Sequence, residues 1–462
     1  MTHVRTSDAR ASGATTTVLL IDSTGRGHAL CDLFVRTDPD VVVHYGPGCN
    51  VVDHPRIVHA PEVSVTDPRT ALAHLERHPA EFVFMSHIDG LSLGYVDTLR
   101  AAGHRVIGPT GAAAALEASK LRGKEFCAAH GVPVAEFESF TDASKAKEYI
   151  RTRPYPCVVK TDGLTPDGDG SVVCDTTAQA EAAVDRFAAS EGDDLHLVVE
   201  ERLSGREISL FALLDGDGAL LFPTAQDYKR ALENDAGGNC DGMGSIAPHP
   251  LDGPELREEL RAALLTPVLR GLKAEGLDFT GFVYVGAMLT DRGPVVIEIN
   301  ARFGDSEAEV VFPGVRSDFT ELCRAVLDRR VAEQRLVCDE LARCSVALVQ
   351  GDPGPVSPGR PKGWPFGPYP TGQPVTGIEQ VDPGAAQVFC ANVHRDEQGV
   401  PRTTGGRVLH VVGSGGTPDL ARRRAYEQLE HIAFPGMRYR TDIGITAPPA
   451  ATGSESAQEV PA

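Results

Sequence analysis

The sequence predicts an α/β protein, α+β in part, that opens on a parallel-sheet domain and closes on a β-rich one. Three observations carry this. Short apolar strands alternate with helical patterns through the first hundred residues, which is the rhythm of βαβ units. A smaller strand–loop–helix–strand unit follows from about Thr141 to Gly205, and a long apolar hairpin comes later. The final segment is strand-rich and ends in one helix, TPDLARRRAYEQLEHI. At 462 residues the chain is too long for one ordinary core, so two to four domains are expected.

In order, the first domain has the strands TTVLLID, VVVHYG, EFVFMS and RVIGP, with ALCDLFVR and SLGYVDTLRAAG as helical patterns. Parallel sheets bind ligands at the carboxyl ends of their strands, here the loops DSTGRGHA, YGPGCN and SHIDG. One helix is expected between Gly111 and Gly131, Ala-rich in its first half and carrying Ser119 and Lys120. The smaller unit holds the strand YPCVVKTDG, the loop LTPDGDGS, the helix TTAQAEAAVDRFAA and the strand LHLVVEERL. REISLFALLDG and ALLFPTA read as further strands, and Gln226 to Gly244 as a polar, Gly-rich loop. The helix GPELREELRAALLTPVLRGLKAEG leads to the hairpin FTGFVYVGAML and PVVIEINA. After the helix DFTELCRAVLDRRV, the stretch GDPGPVSPGRPKGWPFGPYP marks a linker or long loop. The expected boundaries are an extension over 1–16, an α/β domain over 17–118, a domain over 119–330 with a small subdomain at about 139–206, a C-terminal domain over 331–446 and a tail over 447–462. Both ends read as floppy.

Composition narrows the function. A formal net charge of −20 argues against a nucleic-acid or anionic-membrane surface, while leaving room for a locally positive site. No apolar run reaches the ~18 residues of a membrane span, and the first sixteen residues lack the core of a signal peptide. Ten cysteines without a CxxC pair fit a reduced, cytoplasmic protein.

The chemistry concentrates in a few stretches. In PVVIEINARFGDSE, Glu298, Asn300 and Arg302 share one face of a strand while Ile297, Ile299 and Ala301 take the other. Glu298 and Asn300 offer hard oxygens suited to Mg²⁺, and Arg302 can fork onto a carboxylate or phosphate. A solvated edge strand is the plain alternative. Lys160 ends a buried-looking strand before the loop Asp167-Gly168-Asp169-Gly170, a phosphate cover or a simple turn. In VVEERLSGREISL, a strand end and the carboxylates Glu200, Glu201 and Glu207 suit an adenine edge and a ribose, or surround a surface turn. Gln226 to Arg230 with the following glycines suits close approach of backbone to a ligand, or a flexible loop. His28 and His87 lie in first-domain ligand loops or are ordinary loop histidines. No Ser-His-Asp or Cys-His set is recognisable, and no zinc spacing appears.

Taken in order, these stretches resemble the ATP-grasp ligases and, more narrowly, the phosphoribosylamine–glycine ligase (glycinamide ribonucleotide synthetase) family. That family carries GGREHA, GSK, VIKADGLAAGKG, EEFLDGEE, SQDHKR, GPNTGGMGAY, EFNCRFGDPE, GYPG, NGGRVL and KDIG. Here stand TGRGHA, ASK, VVKTDGLTPDGDG, EERLSGRE, AQDYKR, GGNCDGMGSI, EINARFGDSE, GWPF, TGGRVL and TDIG, from about Thr17 to Thr446. The resemblance implies an ATP-grasp fold with an N-terminal parallel-sheet (pre-ATP-grasp) domain and a C-terminal β-rich domain.

The resemblance also implies roles. Lys120, Lys160, Gly168 and Gly170 would hold or cover ATP phosphates. Glu200, Glu201 and Leu203 would face the adenine, with Glu207 on the ribose. Glu298 and Asn300 would bind Mg²⁺, with Mn²⁺ as the alternative ion. Asp227, Lys229, Arg302 and Asp305 would lie by the amino acid or the transferring phosphate, and Gly25, Arg26, His28, Asn50, His87 and Asp89 by the amine. The implied reaction is carboxylate attack on the γ-phosphate, then capture of the acyl phosphate by an amine to form an amide. Partners would be small molecules only, in a monomer or homodimer.

Departures cluster at the amine end. The family's GGREHA loses its acid at Gly27, PGNAGT becomes Pro47-Gly-Cys-Asn50, and GPEAPL becomes Ser86-His-Ile-Asp-Gly-Leu91. The glycine-loop Lys becomes Asp169, in a loop one residue longer, and an anion there would repel ATP phosphates. The expectation is a specialised-metabolism relative joining an amino acid to another amine, such as a phosphorylated sugar amine. The alternatives are a true phosphoribosylamine–glycine ligase of purine synthesis and, from another class, a catalytically silent nucleotide-binding protein.

Overall fold

Strands β1 (Thr16–Asp22), β2 (Val41–Pro47), β3 (Ile57–His59), β4 (Phe82–Met85) and β5 (Val106–Ile107) form a parallel sheet in the order β3-β2-β1-β4-β5. Val18 and Leu20 pack with Phe34 on one face, while Leu19 and Ile21 pack with Leu91 and Val96 on the other. Burial on both faces is why these strands read as unbroken apolar runs. The order reverses at β1, so the ends of β1 and β4 flank a switch-point crevice. Two of its expected loops are partly helical, since helices begin at Gly25 and at Ile88. β3 escaped the sequence reading because it is only three residues long and half open to solvent.

The structure is a computed structural model and describes residues 15–153, 156–165, 170–240, 242–351 and 364–445. Gly168 and Asp169, most of both terminal extensions and most of the Pro/Gly-rich stretch lie outside the described residues.

The single helix expected from Gly111 to Gly131 is two, Gly111–Ala118 and Lys120–His130. Ser119 between them is extended (φ −124°, ψ 117°), and its Oγ caps the second helix by accepting the Arg122 N–H. Helical periodicity runs through such a break unchanged. Gly131 ends the second helix in the left-handed region at φ 69°, where a glycine is favoured.

Strands β6 (Phe137–Phe140), β7 (Cys157–Thr161), β8 (Ser171–Cys174) and β9 (Leu197–Glu201) form an antiparallel sheet ordered β6-β9-β7-β8. With the helices Ala143–Thr152 and Thr177–Glu191 it encloses a separate small core around Val159, Phe187 and Leu197. This is the lid. Its entry segment is tied to the body, because Val134 bridges Val296 and Val296 N–H donates to Pro133 O at 2.8 Å.

The body continues with β10 (Arg206–Asp215) and β11 (Ala219–Leu221). The stretch expected as a loop from Gln226 to Gly244 is instead ordered as β12 (Gln226–Asp227), β13 (Arg230–Leu232), β14 (Ala236–Asn239) and the start of β15 (Gly244–Ala247). Its polar composition and very short strands hid the pairing of β13 with β14 and of β12 with β15. β16 (Thr280–Thr290) and β17 (Gly293–Asn300) are the expected hairpin, in an antiparallel sheet ordered β11-β10-β16-β17.

The C-terminal part supplies β18 (Ala342–Gln350), β19 (Ala386–Cys390), β20 (Val393–Arg395), β21 (Pro401–Thr403), β22 (Arg407–Gly415) and β23 (Met437–Arg438). One sheet runs β12-β15-β18-β22-β19, with β23 beside β18, so the Asp227 strand is its edge. Helix Pro418–Leu429 lies so close over β22 that a Cβ on Gly413 would meet Ala421 O at 2.2 Å. No helix among the described residues is long and apolar enough to cross a membrane.

Candidate active site

A cleft of about 1220 Å³ lies between the lid sheet and the body sheet. Its floor is β17, and a bulge there decides what faces it. Glu298 pairs with Gly286 while Val296 pairs with Ala287, leaving Ile297 as an extra residue. Ile297 therefore lines the cleft instead of joining Ile299 and Ala301 in the core, a correction to strict alternation. Glu298, Asn300 and Arg302 face the cleft as the sequence predicts.

Lys229 enters from the loop after β12 and donates from Nζ to Glu298 Oε1 at 2.8 Å. Burial would raise the Glu298 carboxyl, but Lys229, with Lys160 and Arg302, outweighs it and holds the pKa at about 2. Asn300 is buried, and its side-chain nitrogen has no hydrogen-bond partner in the fold. An ionised carboxylate beside a buried side-chain amide, whose oxygen is a hard donor, is a set that fits a hard divalent cation.

Arg302 is clamped by a residue that sequence reasoning missed. Glu117, at the end of helix Gly111–Ala118, accepts Arg302 Nε at 3.0 Å and Ala301 N–H at 2.6 Å. The next residue, Phe303, is fully enclosed, stacking on Phe211 with ring centres 4.0 Å apart and meeting Phe312 at 4.4 Å. This aromatic anchor fixes the turn that carries the guanidinium. Asp227 is buried nearby and accepts Ser306 Oγ at 3.2 Å. Ser306 has φ 80°, a strained value for a non-glycine residue, and Ser245 Oγ on its carbonyl helps to hold it.

On the lid side, Lys160 lies 2.5 Å from Glu200 Oε1, and Lys124 holds the other oxygen. Burial pushes Glu200 up, and the two lysines overcome this and keep its carboxyl below the usual range. Lys124 was also missed. The available signal was its spacing, four residues after Lys120 on the same helix face. Lys120 Nζ donates to Gly163 O at 2.6 Å, while Ser119 Oγ donates to Asp162 at 2.9 Å, tying the helix start to the loop after β7. Glu201, Leu203, Glu207, His87 and Asp89 also line the cleft. Glu201 pairs with Arg292 at 2.8 Å. Gly170 abuts Thr165 just before β8, outside the lining.

Besides Gly170, five expected site residues do not line the cleft. Arg26 is buried and consumed by Asp22, to which Nε donates at 2.9 Å, and Nη1 donates to Phe303 O at 3.2 Å. His28 Nδ1 accepts the Cys390 N–H at 2.9 Å and meets the Phe389 ring edge-on. Asn50 accepts the Arg395 N–H at 2.6 Å and donates to the Arg395 carbonyl at 3.1 Å. Asp305 accepts the Arg26 N–H at 2.9 Å and Arg407 Nη1 at 3.3 Å. A Cβ on Gly25 would lie 2.3 Å from Glu309 Oε1. These residues join the first domain to the body and the C-terminal part, contacts that a linear motif does not display. His87 and Asp89 remain cleft residues, with Nδ1 and Oδ2 3.9 Å apart.

Lys120, Lys124, Lys160, Lys229 and Arg302 thus converge on one cleft in a chain of net charge −20, interleaved with carboxylates such as Glu117, Glu200 and Glu298, so the cleft offers cations to an anion locally. Comparison with known proteins gives matches over most of the chain. Residues 16–117, 118–308 and 360–446 match the N domain, the ATP-grasp (A) domain and the C domain of phosphoribosylglycinamide synthetase. The phosphoribosylamine–glycine ligase of Salmonella typhimurium is 35% identical over 435 residues, covering 93% of this chain and 98% of that one. The crystal structure of phosphoribosylamine–glycine ligase from Thermotoga maritima superposes with a TM-score of 0.76 at 28% identity, covering 92% of this chain and 100% of the other. The biotin carboxylase domain of Hydrogenobacter thermophilus 2-oxoglutarate carboxylase, in a complex with MgADP, shares the fold alone at 16% identity, with a TM-score of 0.66 and 92% of each chain covered. The chain belongs to the phosphoribosylamine–glycine ligase family, the ADP-forming carbon–nitrogen ligases built on the ATP-grasp fold.

Proposed function

We propose that this protein joins glycine to phosphoribosylamine at the expense of ATP, the purine-synthesis reaction. The observation that carries this is collinear likeness to such ligases over 93% of the chain, first domain included. It weighs more than the loop departures that favour a specialised relative. The silent-binder alternative is set aside, because the chain belongs to a ligase family and keeps the charged floor of the cleft intact.

In this reading Lys120 and Lys160 hold the ATP phosphates. Glu200, expected to face the adenine, positions Lys160 instead, since both its oxygens are engaged by lysines. Glu201 and Leu203 border the adenine, and Glu207 takes the ribose. Glu298 and Asn300 hold Mg²⁺ or Mn²⁺, which when bound neutralises phosphate charge. Arg302, aimed by Glu117, and Lys229 orient the glycine carboxylate against the γ-phosphate, with Asp227 beside them. The carboxylate oxygen displaces ADP to give glycyl phosphate. The amine then attacks the acyl carbon and phosphate leaves. The protein acts by positioning, which contributes ~7–11 kcal/mol, and by fixed charge. Substrates are small molecules, and a cytoplasmic monomer or homodimer belongs to the same proposal.

A second reading, the same chemistry on a different amine, is favoured by Arg26, His28 and Asn50, which are spent on contacts between domains. Both readings are tested by ADP release with MgATP across amino acids, with and without phosphoribosylamine generated in place. Turnover only with glycine plus phosphoribosylamine supports the first. Turnover only with another amine refutes it.

A further inference from the structure

Beneath the first turn of helix Gly25–Thr37, where the first domain, the body and the C-terminal sheet meet, Asp305, Glu309 and His410 bring their ligand atoms within 4.8 Å of one another. Glu309 and His410 are both 0% exposed. Neither oxygen of Glu309 has a hydrogen-bond partner, and neither has His410 Nε2. Glu309 Oε1 and His410 Nε2 stand 4.0 Å apart, too far for a hydrogen bond between them. Ser345 Oγ sits 3.2 Å from His410 Nδ1, which orients the ring with Nε2 towards the carboxylates. Asp305 is steadied by the Arg26 N–H and by Arg407. The missing side chain of Gly25 leaves the space open, since any Cβ there would strike Glu309.

An enclosed carboxylate with both oxygens unpaired is costly, and a neutral imidazole with an unpaired nitrogen beside it adds to the cost. One divalent ion satisfies all three groups and cancels the two carboxylate charges. A set of two carboxylates and one imidazole selects a transition metal over Mg²⁺ or Ca²⁺. We propose that Asp305, Glu309 and His410 bind one divalent transition-metal ion of the Zn²⁺ class, separate from the cleft pair Glu298 and Asn300. Asp305 and Glu309 follow β17 while His410 lies in β22, so the ion staples the body to the C-terminal sheet beneath the first domain's helix.

The test uses the chelator-treated full chain titrated with Zn²⁺ in excess Mg²⁺ by calorimetry. One equivalent is expected to bind, with affinity lowered at least about 100-fold in Glu309→Gln and unchanged in Glu298→Gln. Co²⁺ added to the unsubstituted protein gives a second readout that needs no variant: visible absorption of a nitrogen–oxygen site, displaced by Zn²⁺. No saturable uptake and no Co²⁺ spectrum would overturn the proposal. So would an equivalent that is lost in Glu298→Gln and kept in Glu309→Gln.

Discussion

Glu117 accepts Arg302 Nε on one oxygen at 3.0 Å and the Ala301 N–H on the other at 2.6 Å. A single buried carboxylate thus fixes both the side chain of Arg302 and the backbone leading into it. Burial alone would push Glu117 up, and Arg302 opposes this without fully offsetting it. Glu117→Gln is expected to lower kcat by about 10- to 100-fold through misplacement of the guanidinium. KM for ATP should change far less. Steady-state ADP release separates the two, and an ATP-side KM effect with kcat unchanged would refute the positioning role.

Lys124 shares Glu200 with Lys160. In Lys124→Met the carboxylate has only Lys160 left, which draws that cation away from the phosphates. KM for ATP is expected to rise about 10-fold, equivalent to about 1.4 kcal/mol, while kcat at saturation stays near that of the parent. Kinetics over a range of ATP concentrations provide the check.

Glu298→Gln removes the charge that pairs with Lys229 and one of the two expected cation ligands. Turnover should fall by at least about 100-fold. Binding of ATP in EDTA, followed by calorimetry, is expected to persist. Full activity in this variant would remove β17 from the chemistry.

Acid stability should depend on His28. Burial, with the His59 ring close by, lowers its pKa to about 4 in the fold, against about 6.5 when unfolded. The neutral form is therefore the native one. Its contribution is complete above about pH 6.5 and is lost as pH falls from there towards 4, amounting to about 1–3 kcal/mol. In His28→Gln, the fall in denaturant midpoint across that window should be shallower than in the parent, whatever the starting stability. An identical slope would count against the assignment.

What the sequence revealed and what it hid divide along physical lines. Strands β1, β2, β4 and β5, the hairpin of β16 and β17, and the shared strand face of Glu298 and Asn300 were legible, because strand burial and face alternation are local properties, whereas Lys120 and Lys160 stood out only through resemblance to a family. Glu117 and Lys124 were not, since each acquires meaning only from a partner far along the chain, Arg302 and Glu200. The bulge at Ile297 needed the opposing strand to be seen. Arg26 and His28 carry a family motif and Asn50 stands where another has changed, yet the three side chains are committed to Asp22, Cys390 and Arg395. The Gln226 to Gly244 stretch looked like a loop because its strands are only two to four residues long and polar, too short for an alternation to show.

The bridge between Val134 and Val296 has a bearing on protein engineering. It sits just before the lid begins, on the strand that carries Glu298, so the lid leaves the body from a fixed point two residues from that carboxylate. Because the lid has its own core, a cassette exchanged between related ligases at this joint would arrive already aligned with the cleft floor. Chimeras cut at Pro133 and near Ser204 are therefore a practical way to recombine nucleotide handling with amine choice.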